Sequence, residues 1–243
     1  MGEAFFWGLV AGSSLVIGGI LALRLRIGGR ALGLVMAFGA GVLISAVAYE
    51  LVYEAFDVGA GSGGVALGLL AGAVTFYCGD VLIDRLGGQG RKRSGGEQAA
   101  GSGLAIVLGI VLDGVPEAMV VGMSLLEGGG VSVAVIAAVF LSNLPEALAA
   151  TTGLAAASWS RARILGLWTA VMLVTALASL LGYVLLDGAS VRTLAFVLAF
   201  AAGAILTMLA DTMMPEAFEH GGKTVGLATT LGFALAFALT ALE

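Results

Sequence analysis

The sequence predicts an all-α polytopic membrane protein with eight transmembrane helices, and three observations support this fold class. Of the 243 residues, 60% are hydrophobic and 11% are charged, and the mean hydropathy is +1.08, far outside the range of a soluble domain. The apolar residues fall into runs of about 20, the length that an α-helix needs to cross the hydrocarbon core. The 39 glycines suit close approach between helices in lipid.

The eight predicted spans form a single transmembrane domain over residues 1–243. They cover residues 4–23, 31–53, 64–86, 103–126, 131–158, 163–186, 192–214 and 222–242. Residues 87–102, between the third and fourth spans, are rich in Gly, Ser, Gln and basic residues, which favours a flexible loop. Asp80 and Asp84, at the end of the third span, are expected to pair with the basic residues of this loop.

Basic residues predict the orientation of the spans, because they accumulate in cytoplasmic loops. Ten of the eleven follow an odd-numbered span, and only Arg192 follows an even-numbered one. The ten are Arg24, Arg26, Arg30, Arg85, Arg91, Lys92, Arg93, Arg161, Arg163 and Lys223. We therefore expect a multi-pass protein of the cell (inner) membrane, with the loop 87–102 in the cytoplasm and both termini extracytoplasmic.

An internal repeat relates the two ends of the chain. Residues 38–60 align with residues 200–222 at an offset of 162, and eight positions are identical, including Glu54-Ala55-Phe56 against Glu216-Ala217-Phe218. The repeat pairs the second span with the seventh, so the two copies cross the membrane in opposite directions. The predicted plan is a 3+2+3 inverted repeat: repeat one over about 4–86, a central helix pair over about 103–158, and repeat two over about 163–242. Chance similarity between helices rich in Gly and Ala is the alternative.

The three prolines of the chain all begin the same short motif. The copies are Pro116-Glu117-Ala118, Pro145-Glu146-Ala147 and Pro215-Glu216-Ala217. Proline in a helix leaves the carbonyl four residues earlier without its amide donor, here that of Leu112 or Leu141. In lipid such a carbonyl persists only where a polar group satisfies it, so each kink predicts a polar site beside its glutamate.

Three carboxylates lie in the middle of predicted spans, where each costs about 2.5–3.5 kcal/mol on an insertion scale. They are Asp113, Glu117 and Glu146, and no Lys or Arg lies at the same depth in any span. We therefore expect them to be neutralised by protonation, by water or by a metal ion. Ser142 and Asn143 lie on the same helix as Glu146 and add oxygen donors, so the five residues predict a cation site. A protonated carboxyl that helps helices pack is the alternative for any one of them.

Further polar residues lie near the ends of the second and seventh spans. They are Glu50, Glu54, Asp211, Glu216 and His220, and we interpret them as a pathway for the cation. By the repeat, Glu54 and Glu216 are equivalent groups at opposite faces of the membrane. Ordinary interfacial charges, and a solvated loop position for the single histidine, are the alternatives.

These motifs resemble those of the ZIP (Zrt-, Irt-like) family of divalent-metal transporters. Asp113-Gly114-Val115-Pro116-Glu117-Ala118 is similar to the His-Asn-x-Pro-Glu-Gly motif of that family's fourth helix, and Ser142-Asn143-Leu144-Pro145-Glu146-Ala147 to the motif of its fifth. Asp211-Thr212-Met213-Met214-Pro215-Glu216 is similar to the His-Glu-x-x-Pro-Glu of its seventh. The resemblance implies eight spans, the 3+2+3 arrangement, outward termini and a homodimer. It also implies that Glu117 and Glu146 ligate the metal beside Asp113, Ser142 and Asn143, with Asp211 and Glu216 on the release path.

The chain departs from the ZIP family at its transport-site histidines, which are replaced by Asp113 and Asp211. The predicted ligands are all oxygen, which suits hard and borderline cations and still admits zinc. The expected function is transport of divalent metal cations, zinc or a related ion such as manganese, iron or cadmium, with no other cofactor and no nucleic-acid partner. A non-transporting ZIP-like regulatory or structural membrane protein is the alternative.

An enzyme is not expected. Tyr77-Cys78-Gly79-Asp80 weakly resembles the Gly-x-Gly-Asp motif of intramembrane aspartyl proteases, which need two facing aspartates. Asp80 lies near a membrane face while Asp113 is central, so the two do not form such a pair.

Overall fold

A computed structural model describes residues 1–25, 27–59, 63–127 and 131–242. These ranges consist of helices joined by short turns and contain no β-strand, which confirms the predicted all-α class. In chain order the α-helices are α1 (Gly2–Arg24), α2 (Gly29–Ala46), α3 (Glu54–Val58), α4 (Gly64–Ile83), α5 (Gly103–Met123), α6 (Val133–Ala156), α7 (Arg161–Leu186), α8 (Val191–Met208), α9 (Met214–Gly221) and α10 (Val225–Thr240).

Seven helical stretches of the described chain are long and apolar enough to cross a membrane. They are Gly2–Arg24, Gly29–Val58, Gly64–Gly88, Gly103–Leu126, Val133–Ala156, Arg161–Leu186 and Val191–Thr240. They support a multi-pass membrane protein, as the composition predicts. The last stretch is 50 residues long and contains both the seventh and the eighth predicted spans, so the count of eight stays a prediction. Within it, Gly222 separates α9 from α10 with φ 58° and ψ −148°, a conformation that glycine adopts readily and other residues rarely do.

Two wide π-helical segments interrupt long helices at matching places. Val47–Tyr53 joins α2 to α3, and Leu209–Met213 joins α8 to α9. At the repeat's offset of 162 residues, Val47 aligns with Leu209, so both segments begin at the same repeat position. Such widened turns are rare; they occur mostly as single turns inside α-helices, and frequently at functional sites.

Glycines bring several helix pairs into backbone contact, among them α2 with α10 and α4 with α8. A Cβ added at Gly41 would lie 1.9 Å from the carbonyl oxygen of Thr229, and one at Gly232 would lie 2.0 Å from that of Phe38. The other pair repeats the pattern: a Cβ added at Gly72 would lie 1.9 Å from the carbonyl oxygen of Phe200, and one at Gly203 would lie 2.0 Å from that of Leu69. No side chain fits at these four positions, so glycine sets both crossings.

The remaining long helices surround the predicted site. α1 packs against α6 and α7, and α5 packs against α7. Trp168 of α7 is buried, and its indole Nε1 donates to Thr151 Oγ1 of α6 at 2.7 Å. The proline-containing helices α5 and α6 are therefore held in the interior, and both continue through their prolines without ending.

The segment between α4 and α5 differs from its prediction as a flexible loop. Gly87 turns the chain with φ 93°, and Glu97–Ala100 forms a 3-10 turn. Gln98 is buried, and its Nε2 donates to the carbonyls of Gly90 at 2.8 Å and of Arg93 at 2.6 Å. The segment is thus curled around its own glutamine and packed among the helices, because its polar side chains find partners there.

Candidate cation site

Asp113, Glu117 and Glu146 are all buried, with 2%, 1% and 6% of their surfaces exposed. Asp113 and Glu117 lie four residues apart on α5, and Glu146 lies on α6. Each glutamate directly follows the proline of its helix, as the shared motif predicts. The structure therefore places the three predicted carboxylates in the interior of the bundle.

Lys92, from the segment between α4 and α5, enters this group of carboxylates. Its Nζ lies 2.6 Å from Glu146 Oε2 and 3.3 Å from Asp113 Oδ2. The same nitrogen is 3.5 Å from the sulfur of Met208 on α8. Oxygens from α5 and α6 thus share one ammonium group.

Arg91 binds Asp113 with two parallel hydrogen bonds. Its Nε donates to Oδ2 at 2.8 Å and its Nη2 donates to Oδ1 at 2.9 Å. Nη2 also forms a short ion pair with Asp80, and Nη1 lies 3.7 Å from Asp84. The expected pairing of Asp80 and Asp84 with the basic loop is confirmed.

These contacts correct the expectation that only protonation, water or metal neutralises the buried carboxylates. The basic partners were sought within the spans, whereas Arg91 and Lys92 reach Asp113 and Glu146 from outside them. Burial alone lowers the pKa of both cationic groups, but the neighbouring carboxylates together outweigh it and raise both pKa values: Asp113 and Asp80 act on Arg91, and Asp113, Glu146 and Glu117 act on Lys92. Both side chains therefore carry a full positive charge in this arrangement.

Glu117 differs from its neighbours, because both of its carboxylate oxygens are buried and accept no hydrogen bond from the described residues. Its side chain borders a cavity of about 20 Å³ that is otherwise lined mainly by apolar residues of α2, α5 and α6 and by Glu50. One oxygen of Glu146, Oε1, is equally without a partner in the described chain. Three buried carboxylate oxygens are thus free to accept a cation or a proton.

Asn143 and Ser142, the two other predicted ligands, differ in their surroundings. Asn143 is buried and borders a cavity of about 10 Å³ together with Glu146 and Lys92. Ser142 donates its hydroxyl to the carbonyl of Val139 at 3.0 Å, within its own helix. Among the described residues, no three His, Cys, Asp or Glu side chains are arranged to hold a metal ion in this conformation.

Two of the predicted pathway residues, Glu216 and His220 of α9, hold the segment between α4 and α5, which is called the inserted segment below. Glu216 is buried, and its Oε1 accepts from the amide of Ser94 at 2.9 Å and from the hydroxyl of Ser94 at 2.6 Å. His220 Nε2 lies 3.2 Å from the same hydroxyl, and Nδ1 lies 3.7 Å from Glu216 Oε1. His220 is thus a partly buried helical residue and not a solvated loop histidine.

The other pathway residues border open cavities. Asp211 lines one of about 140 Å³ together with Asp80, Asp84 and Arg91. Glu54 lines one of about 240 Å³ whose other walls are apolar. Glu50 accepts a hydrogen bond from the hydroxyl of Thr240 at 2.7 Å. Within the part of the chain that the structure describes, neither Glu54 nor Asp211 belongs to a group of three His, Cys, Asp or Glu side chains that could hold a metal ion.

Sequence reasoning missed the roles of Arg91, Lys92 and Ser94 at the buried carboxylates, since it used the basic residues only for orientation and for pairing with Asp80 and Asp84. The signal that could have found them lies on the helices. A Cβ at Gly109 of α5 would lie 2.2 Å from Arg91 Cδ, and one at Gly153 of α6 would lie 2.1 Å from the carbonyl oxygen of Arg93. Each helix thus carries a glycine where the inserted segment approaches it.

No protein-family model matches this chain, and no curated protein matches it. The resemblance to ZIP proteins therefore rests on the three motifs and on the predicted span count and topology. Function has to be inferred from the site's geometry and charge.

Proposed function

We propose that the protein carries divalent metal cations across the membrane through the carboxylate site of α5 and α6. The single observation that carries this proposal is the ammonium group of Lys92, held by Glu146 and Asp113 in the interior of the bundle. The carboxylates already bind a cation in the position that a transported ion would take. That cation belongs to a segment outside the spans, so it can leave without unfolding a helix.

The charge balance favours a divalent ion over the lysine. Asp113, Glu117 and Glu146 face one ammonium, while the charge of Arg91 is shared between Asp113 and two aspartates of the third span. The unpaired oxygens of Glu117 leave binding capacity that a single ammonium does not use. A divalent ion would neutralise two carboxylates at once. It could bind both the oxygens that now contact Lys92 and the unpaired oxygens of Glu117.

The distances support this exchange of cations. The ammonium lies 2.6–3.3 Å from its two carboxylate oxygens. Metal–oxygen distances are about 2.0–2.2 Å for zinc and about 2.3–2.6 Å for calcium. The ligands therefore need to close by at most about 1.0 Å for calcium and about 1.3 Å for zinc, which rotation of a glutamate or aspartate side chain can supply.

The proposed architecture is that of an atypical ZIP-like transporter with eight spans in a 3+2+3 inverted repeat. The matching π-helical segments and the pair Gly41 and Gly203 support it, since each recurs at the offset of 162 residues. The glycines on the facing helices, Gly72 and Gly232, are related by a similar offset of 160 residues. Extracytoplasmic termini, a location in the cell membrane and a homodimer belong to the same proposal. The all-oxygen ligands suit hard and borderline cations such as manganese and still admit zinc, so the proposed substrate is zinc or a related ion such as manganese, iron or cadmium.

Uptake into proteoliposomes tests the proposal. Glu117→Gln and Glu146→Gln keep the side-chain volume but remove the charge, so each should reduce Mn²⁺, Zn²⁺ and Cd²⁺ uptake by about tenfold or more, the effect of losing 1.4 kcal/mol of binding. Glu97→Gln, in which an exposed carboxylate of the inserted segment is changed, is the matched control and should transport normally. Near-normal uptake by both buried variants would remove these glutamates from the mechanism.

A non-transporting membrane protein is the second candidate. The ion pairs of Arg91 and Lys92 favour it, because they already satisfy Asp113 and half of Glu146 without any metal. On this alternative, wild-type protein would show no uptake of any divalent ion, and the glutamate variants would change only its stability.

A further inference from the structure

We propose that residues 89–101, the plug segment, form a tethered inhibitor that occupies the cation site, with Lys92 in place of the transported ion. This inference rests on the proposed function, and it adds a regulatory device within the same chain. The segment lies wholly between α4 and α5, so docking and release need no change inside a helix.

Lys92 and a metal ion compete for the same atoms. Glu146 Oε2 and Asp113 Oδ2 both contact the Lys92 ammonium, and a metal ligated by these oxygens would overlap it. Occupancy of the site by one cation therefore excludes the other. The apparent affinity for metal is the intrinsic affinity multiplied by the fraction of molecules in which the plug segment is undocked.

The plug segment is a built structure and not a passing contact. Gln98 curls it by donating to two of its carbonyls, and Arg91 anchors it to Asp113 with two hydrogen bonds. At its far side, Ser94 binds Glu216 through both its amide and its hydroxyl. One set of internal hydrogen bonds and two attachments to the helices thus set the position of Lys92.

The helices are shaped to receive the plug segment. Gly109 of α5 leaves space for the side chain of Arg91, and Gly153 of α6 leaves space for the backbone at Arg93. Neither glycine has a positive φ, so neither is required by the helix itself. The space that each leaves is filled by the plug segment.

The free energy of docking is small enough for the plug segment to dock and undock reversibly. The attachments are polar, and the cost of taking two cations out of water offsets much of the attraction that the carboxylates provide. Gly87, just before the plug segment, and Gly96, within it, give the backbone left-handed turns, with φ 93° and 92°. A divalent ion, with twice the charge of the ammonium, can therefore compete for the site.

The first experiment removes the competing cation. Purified Lys92→Gln protein should bind Cd²⁺ about tenfold more tightly than wild type in equilibrium dialysis, because the site is no longer occupied. Its initial rate of Cd²⁺ uptake at low concentration should rise in the same direction. Arg93→Gln is the matched control: Arg93 is the next residue and is half exposed, and its ion pairs within the described residues, with Glu97 and Glu219, are both 3.9 Å long.

The second experiment displaces the plug segment without changing any charge. In Gly153→Ala the new methyl would lie 2.1 Å from the carbonyl of Arg93, so the backbone must retreat by about 1 Å, enough to break the 2.6 Å contact between Lys92 and Glu146. Cd²⁺ binding should again tighten. Gly166→Ala on α7 is the matched control, since a Cβ there meets nothing within 4 Å.

The outcomes separate the plug from the proposed function. Tighter binding in both variants, with unchanged controls, supports the plug, and it does so even if no variant transports. Binding that is weakened or unchanged in both variants, while Glu146→Gln still abolishes uptake, overturns the plug and leaves the transporter. No Cd²⁺ binding in any variant overturns both.

Discussion

The buried pair of Asp113 and Arg91 provides a direct test of whether the segment between α4 and α5 docks in the protein. Asp113→Asn keeps the shape of the side chain but removes the charge that accepts two hydrogen bonds, at 2.8 and 2.9 Å. Removing one partner of a buried ion pair costs about 3–5 kcal/mol. Arg91 retains Asp80 and borders an open cavity, so we expect the lower end, about 3 kcal/mol of unfolding free energy.

A double-mutant cycle isolates the pair from the rest of the site. Arg91→Gln, Asp113→Asn and the double variant should give a coupling energy of about 2 kcal/mol, since the two groups are in direct contact. Unfolding by sodium dodecyl sulfate in mixed micelles, followed by the fluorescence of the three tryptophans, gives the four free energies.

The pair of Arg93 and Glu97 is the internal standard for this cycle. Its atoms are 3.9 Å apart and its side chains are about half exposed, so its coupling should be about 0.5 kcal/mol or less. A coupling between Asp113 and Arg91 no larger than this standard would mean that the segment does not dock, and the reasoning about Lys92 would fail with it.

Three further predictions concern orientation, packing and selectivity. A Glu97→Cys protein in a Cys78→Ala background should react with a membrane-impermeant maleimide only after cells are permeabilised; labelling of intact cells would reverse the orientation. Gly41→Ala and Gly203→Ala should each lower thermal stability in detergent, and by similar amounts, because each methyl would lie about 2 Å from a carbonyl oxygen. Asp113→His should shift competitive uptake from Mn²⁺ toward Zn²⁺, since imidazole favours zinc; an unchanged ratio would mean that this position does not touch the ion.

Gly226→Ala serves as the control for the packing prediction, because a Cβ at that position of α10 meets nothing within 4 Å. It should leave the melting temperature unchanged or raise it, as alanine favours the helix. Strongly unequal losses for Gly41 and Gly203 would argue against equivalent crossings in the two repeats.

The helices and the buried carboxylates could be predicted from the sequence because hydropathy and the proline motif are local properties. A run of 20 apolar residues predicts a span wherever it lies, and a glutamate after a proline in such a run marks a polar site. The all-helical class and the burial of Asp113, Glu117 and Glu146 were predicted on these grounds.

The inserted segment could not be predicted in the same way. A stretch rich in Gly, Ser and basic residues is equally suited to a solvated loop and to a segment that pairs with buried acids. The difference lies in space that distant helices leave open, at Gly109 and Gly153, and in acceptors such as Glu216. The spacing of residues along the chain does not predict those distances between the segment and the helices.

The glycine crossings also have a consequence for biosynthesis. Gly41 of α2 faces Thr229, and Gly232 of α10 faces Phe38, so α2 completes its packing only with the last helix of the chain. The two glycines are separated by 191 residues of sequence. At a synthesis rate of about 5–20 residues per second, α2 waits about 10–40 seconds for its partner. During that interval its glycine face, which no side chain shields, must be covered by lipid or by the insertion machinery.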